Sequence, residues 1–140
     1  MEVEVDWLGI VVAAAAVMVI SSLWYSKMVF GKTWQKLVGL KDSDMQKGAG
    51  MAIAKAAVLS LLTAYVLSHL IYLSYSFYDL SWVQTGLTTA FWVWLGFVFT
   101  WQMMNGAFEQ RPNKLVLINV SNQLVNLLVM GAILGYFFST

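Results

Sequence analysis

The sequence predicts an all-α fold: a four-helix transmembrane bundle, both termini extracytoplasmic, with a short amphipathic interfacial helix between helices one and two. Three observations predict it. The chain of 140 residues is 60% hydrophobic and only 11% charged, where a soluble domain carries about a quarter charged residues. Four apolar runs, Trp7–Trp24, Met51–Leu73, Trp82–Met104 and Leu115–Phe138, approach or exceed the roughly twenty helical residues needed to cross ~30 Å of hydrocarbon. All basic residues gather around the first and third connections, and none lies in the N-terminal tail or the second connection.

The first helix is expected over about residues 7–26. Its acidic start, "MEVEVD", lacks the basic residues of a secretory signal. Without water to satisfy the backbone, each apolar run must be helical. In the first connection, Phe30, Trp34, Leu37 and Val38 recur at helical spacing between Lys32, Lys36 and Lys41, the pattern of a helix lying on the membrane surface. Gly39 is placed to stop it. "DSDMQ" offers either Ser43 with Gln46 or Asp44 as the cap of the second helix, expected over about 44–73. The third helix is expected over about 82–105, and the fourth over about 112–138 with Pro112 in its first turn.

Orientation follows from the charges. Lys27, Lys32, Lys36, Lys41 and Lys47, with Lys55 just inside the second helix, flank the first connection, and Arg111 and Lys114 the third. Glu2, Glu4, Asp6 and Asp79 occupy the opposite side. Basic residues are retained in the cytoplasm, which predicts a multi-pass protein of the inner (cytoplasmic) membrane with both termini outside. Trp7 and Trp82 suit the outer boundary and Trp24 and Trp101 the inner one. Trp92 and Trp94 lie mid-helix and call for packing or lipid contact.

The fourth helix carries Asn119, Asn122, Gln123 and Asn126 on one face. In the same, cytoplasmic half of the bundle fall Ser21, Ser22, Tyr25 and Ser26 on helix one, Lys55 and Ser60 on helix two, and Gln102 and Asn105 on helix three. Two readings stand: interhelical hydrogen bonds that hold the bundle together, or a polar pocket open to the cytoplasm. The pocket would be formed by Asn119, Asn122, Gln123, Asn126, Asn105, Gln102, Tyr25, Ser26 and Lys55. Lys55 either snorkels to the interface or meets a buried partner such as Glu109. His69 is the only histidine and Cys is absent, so no metal site and no cofactor is expected. Gly131 and Gly135 form a GxxxG, suited to close helix approach either within the bundle or between copies. "FGKTWQKLV" also echoes "FEQRPNKLV", as two hairpins repeated in parallel would.

The stretches "LWYSKMVFGKTWQKLVGL" (Leu23–Leu40) and "NGAFEQRPNKLVLIN" (Asn105–Asn119) resemble the bacterial domain-of-unknown-function family numbered 1761, small four-helix membrane proteins. The resemblance spans most of the chain and rests on Trp24, Tyr25, Ser26, Phe30, Gly31, Lys32, Trp34, Asn105, Gly106, Phe108, Glu109, Arg111 and Pro112. The sequence departs from the family pattern at Lys27, where the family has Pro, and in an "NGAFE" one residue shorter. The resemblance implies an architecture and no activity.

No nucleophile–base constellation can be assembled from Glu109, Arg111, Lys55, Tyr25 and His69, so the expected function is not enzymatic. The first expectation is a bundle that binds or passes a small polar solute or lipid headgroup through its cytoplasm-facing polar half. The alternative is a structural or accessory protein acting through helix–helix contacts. The expected partners are the lipid bilayer, a lipid or small polar ligand and a second copy as a homo-oligomer; nucleic acid is not among them.

Overall fold

A computed structural model describes residues 3–140; Glu2, counted above with the acidic tail, lies outside the described residues. The described chain is helical, with no strand. Its elements are α1 (Trp7–Trp24), α2 (Gly31–Val38), α3 (Asp42–Tyr75), α4 (Trp82–Val93), a π-helical segment (Trp94–Phe99), α5 (Thr100–Phe108) and α6 (Asn113–Ser139). Three of them, α1, α3 and α6, are long and apolar enough to cross a membrane. The third predicted span is helical from Trp82 to Phe108 but is interrupted by the π-helical turn.

Local chemistry sets the ends. The Asp6 carboxylate accepts from the Gly9 amide at 2.7 Å and caps α1. Gly39, at φ 80°, ends α2 in the left-handed region that favours glycine. Before α4, the Ser81 hydroxyl accepts from the Gln84 amide at 3.3 Å while the Gln84 side chain accepts from the Ser81 amide at 3.1 Å, a reciprocal cap absent from the sequence reading. Three predicted boundaries are corrected. Helix one stops at Trp24, because Phe30 and Gly31 donate back to the carbonyls of Trp24 and Ser26 and fold the chain over. The second helix begins at Asp42, since Asp44 accepts from the Lys41 amide at 3.2 Å, so neither Ser43 nor Asp44 is its cap. Pro112 stands before α6 rather than in its first turn, its ψ of 131° being extended.

α6 is the central helix and touches every other element. The core joins Ile10, Ala13 and Val17 of α1 to Ala64, Leu67 and Ile71 of α3, Ala90 of α4 and Leu127, Met130 and Leu134 of α6. Glycine sets the approach of α4 to α6. A Cβ on Gly86 would meet the Gly131 carbonyl, one on Gly131 would meet the Gly86 carbonyl, and one on Gly135 would lie 2.8 Å from the Val83 Cα. Of the two uses open to the GxxxG, the structure takes internal packing.

The start of α1 and the end of α6 lie at one end of the bundle. Gly9 packs beside Phe137, and Trp82 stacks on Tyr75 and Phe138 with ring centroids 3.5 and 4.9 Å apart. The first and third connections meet at the other end, where Trp24, Tyr25 and Trp34 reach the start of α6. All the basic side chains therefore sit toward the second end. The sequence echo has no structural counterpart: Gly31–Val38 is helix α2, whereas the matching stretch crosses the end of α5 and the start of α6.

Two buried hydroxyls, Ser68 and Thr85, lie in the half that α6 makes apolar, and neither has a hydrogen-bond partner among the described residues.

Candidate functional site

The residues that the sequence gathers into one polar pocket separate into two places, with Ser26 and Lys55 in neither. Ser26 donates to the Leu23 carbonyl at 2.7 Å within its own turn. Lys55 is exposed on α3, and its suggested partner Glu109 pairs with Arg111 instead. His69 lies against the Tyr65 carbonyl, Nδ1 to oxygen 2.9 Å. Among the described residues no three His, Asp or Glu side chains cluster to hold a metal ion.

The first place is inside the bundle. Asn126 donates to Ser21 Oγ at 2.9 Å and to Asn122 Oδ1 at 3.1 Å, and Ser21 donates to the same Asn122 oxygen at 3.3 Å. This triad ties α1 to α6, which is the holding role the sequence offered for the stripe. Gln123 makes no such bond and faces a cavity between α1, α3 and α6.

The second place is a cleft of about 80 Å³ at the basic end, lined by Gln102, Asn105, Glu109, Arg111, Asn119 and neighbours. Asn119 is its best-defined member. Tyr25 Oη and Trp34 Nε1 both donate to Asn119 Oδ1, at 3.0 and 3.1 Å. An indole nitrogen is only a donor, so the amide orientation is fixed and its NH₂ is left for the cleft. Tyr25 lies one residue past α1, and burial pushes its phenol up to about 12, so it remains a neutral donor at physiological pH.

Sequence reasoning did not foresee the indoles. Trp24 donates to the Ile118 carbonyl at 3.2 Å and Trp94 to the Val120 carbonyl at 2.9 Å. With Trp34 on Asn119, three indoles from three elements converge on one turn of α6. Trp94 thereby gains the packing reason its mid-helix position called for, while Trp92 is exposed. For Trp34 the available signal was the pairing of a family-motif aromatic with an amide on a facing helix.

Gly31 lets the loop close over this turn. A Cβ there would lie 2.6 Å from the Ser26 carbonyl oxygen and would also overlap the Tyr25 carbonyl. Gly31→Ala is expected to displace Tyr25 and Trp34 and to cost about 1–3 kcal/mol. Thermal unfolding followed by near-ultraviolet circular dichroism would register it; an unaltered spectrum and midpoint would mean that the loop does not need this close approach.

The π-helical segment presents α5 to the cleft. Continuing the α-helical spacing from Gly86 and Ala90 would turn Phe97, Trp101, Met104 and Phe108 toward α6. Instead Phe97 and Phe108 are 74% and 85% exposed and Trp101, which also lines the cleft, is 61% exposed, while Val98 packs on the core and Gln102, Asn105 and Gly106 face the cleft. The wider turn accommodates one extra residue and moves the inward face by one position. Gly106 then fits under Val116, whose Cγ2 would lie 2.6 Å from any Cβ added there.

A family model described as "Protein of unknown function (DUF1761)" matches residues 8–135. No curated protein and no solved structure matches the chain.

Proposed function

The chain belongs to the DUF1761 family, and for it we propose a multi-pass membrane protein that binds a small polar solute or lipid headgroup in the cleft at its basic end. The helix from Trp82 to Phe108 is the fourth span in this reading, and the basic end faces the cytoplasm. The observation that carries it is the Asn119 amide, held by Tyr25 and Trp34 so that its NH₂ is presented to the cleft. Gln102 and Asn105 add amides that both donate and accept, and Arg111 is neutralised by Glu109. At about 80 Å³ the cleft has room for one small group. Surrounding lysines would draw anionic headgroups toward it.

Binding is favoured over catalysis because the one carboxylate of the cleft is paired and no nucleophile stands beside a base. The alternative, a structural or accessory protein acting through helix–helix contacts, loses the support of the GxxxG, because Gly131 and Gly135 already lie against α4, and keeps only that of the basic amphipathic connection.

Native mass spectrometry of the protein released gently from membranes tests the reading. A stoichiometric ligand that disappears in Gln102→Leu, with the bundle still folded, is the expected result. Retention of that ligand in folded Gln102→Leu and Asn105→Leu proteins would place it elsewhere. Cysteine is absent from the chain, so single cysteines at Asp79 and Asn113, on either side of the helix from Trp82 to Phe108, read out the topology. Labelling of both from the same face of the membrane would overturn the four-span arrangement.

A further inference from the structure

The cavity between α1, α3 and α6 is distinct from the cleft. It measures about 260 Å³, and its walls are largely apolar, with Val17, Met18, Leu59, Leu127 and Met130 among them. Five polar residues break that surface, Ser21, Ser60, Thr63, Gln123 and Asn126, and the last two carry the argument. Asn126 is 7% exposed and lines the cavity. Both hydrogens of its NH₂ are engaged, by Ser21 and by Asn122, while its Oδ1 has no partner among the described residues. Gln123, one turn earlier on α6, lines the same cavity, and its amide both donates and accepts.

A buried carbonyl oxygen left without a donor is costly. The complementary group is one that donates to Asn126 Oδ1 and accepts from Gln123, which is the pattern of a hydroxyl. A charged group does not fit, because no ionisable side chain lines the cavity. Depth narrows the class further. Ser21, on the wall, precedes Trp24 by three residues, about 5 Å of helix, and Trp marks the boundary between hydrocarbon and headgroups. The polar spot therefore lies just beneath the interface, at the level of a lipid's glycerol rather than its phosphate. Leu59 on the cavity wall is 59% exposed, so the cavity is flanked by an apolar α3 surface along which acyl chains can lie.

We propose that this cavity binds the free hydroxyl of a neutral membrane amphiphile, of which diacylglycerol is the representative. The inference rests on the membrane reading above, though not on occupancy of the cleft. The shared chemistry, a hydroxyl on an apolar chain, is also carried by small free alcohols, and the experiment separates the two.

The intact protein is reconstituted in phosphatidylcholine liposomes with diacylglycerol carrying a photoreactive acyl chain. A matched probe has its hydroxyl capped by acetylation. The free-hydroxyl probe is expected to label peptides around Met18 and Leu59 several-fold more than the capped one. Gln123→Leu, which breaks no bond of the Ser21–Asn122–Asn126 triad, is expected to reduce labelling to the capped level, whereas Gln102→Leu leaves it unchanged. Unlabelled diacylglycerol should compete. Equal labelling by the two probes, or labelling indifferent to Gln123→Leu, overturns the inference. Competition by hexanol without competition by diacylglycerol overturns the lipid assignment in favour of a free alcohol. If the protein does not float with the liposomes, the membrane reading and this inference fail together; loss of the cleft's ligand alone touches only the earlier reading.

Discussion

Gly131→Leu is expected to unfold the packing of α4 on α6 rather than to alter association between copies. A Cβ at Gly131 meets the Gly86 carbonyl oxygen and lies 2.8 Å from its carbon, with the Ala90 Cβ at 2.9 Å. Two of those atoms are backbone, so a rotamer change cannot relieve the overlap and the helices must separate. Overpacking of this kind costs about 3 kcal/mol or more when the obstruction is backbone. Near-ultraviolet circular dichroism during heating in mild detergent measures the effect through the buried aromatic contacts. Gly48→Ala and Gly50→Ala supply the contrast: both lie in α3 with nothing within 4 Å of an added Cβ. Each should stabilise by up to about 1 kcal/mol, the ordinary gain of Ala over Gly in a helix. A Gly131→Leu protein with the parental midpoint would show that α4 and α6 are not in backbone contact.

Insertion of one alanine after Gly96 is expected to destroy the cleft, while deletion of Gly96 is expected to preserve it. The π-helical segment already contains one residue more than the α-helical spacing from Gly86 to Gln102 would hold. Removing that residue lets Trp94–Phe99 relax to α-helix with Val98, Gln102 and Asn105 still inward. Adding a second turns the following helix by about 100°, the rotation per α-helical residue. Phe97, Trp101 and Met104 would then press on α6, and Gln102 and Asn105 would leave Asn119. Gly96→Ala should leave the bound ligand in place, since nothing lies within 4 Å of its added Cβ. Native mass spectrometry for the bound ligand and thermal unfolding together read the series. Equal tolerance of insertion and deletion would mean that the π turn does not set the face of α5.

The loop-closing glycine and the π turn explain why the candidate site was only partly legible. Asn119, Gln102 and Asn105 could be placed in one half of the chain because depth in a helix follows from counting residues, at 1.5 Å each. Which of them share a cleft depends on rotation about the helix axis, and a single π turn changes that without a residue signature strong enough to read. Gln123 and Asn119 stand one turn apart on α6, yet Gln123 faces a cavity toward α1 and α3 while Asn119 faces α5. Depth alone puts Lys55 and Ser26 in the pocket; rotation about α3 leaves Lys55 exposed, and the turn after α1 ties Ser26 to the Leu23 carbonyl.

The sequence by itself determined what is one-dimensional: the helical class, the runs long enough to cross a bilayer, the collection of basic residues at one end and the family. Each is a property of composition and order along the chain, because apolar length and charge position act before any tertiary contact forms. Only the tertiary structure decided which groups face one another. It closed the GxxxG onto α4, joined Asn122 and Asn126 to Ser21, and aimed three indoles at one turn of α6. Those pairings arise from backbone approach and helix rotation, where differences of an ångström or of one residue select the neighbour.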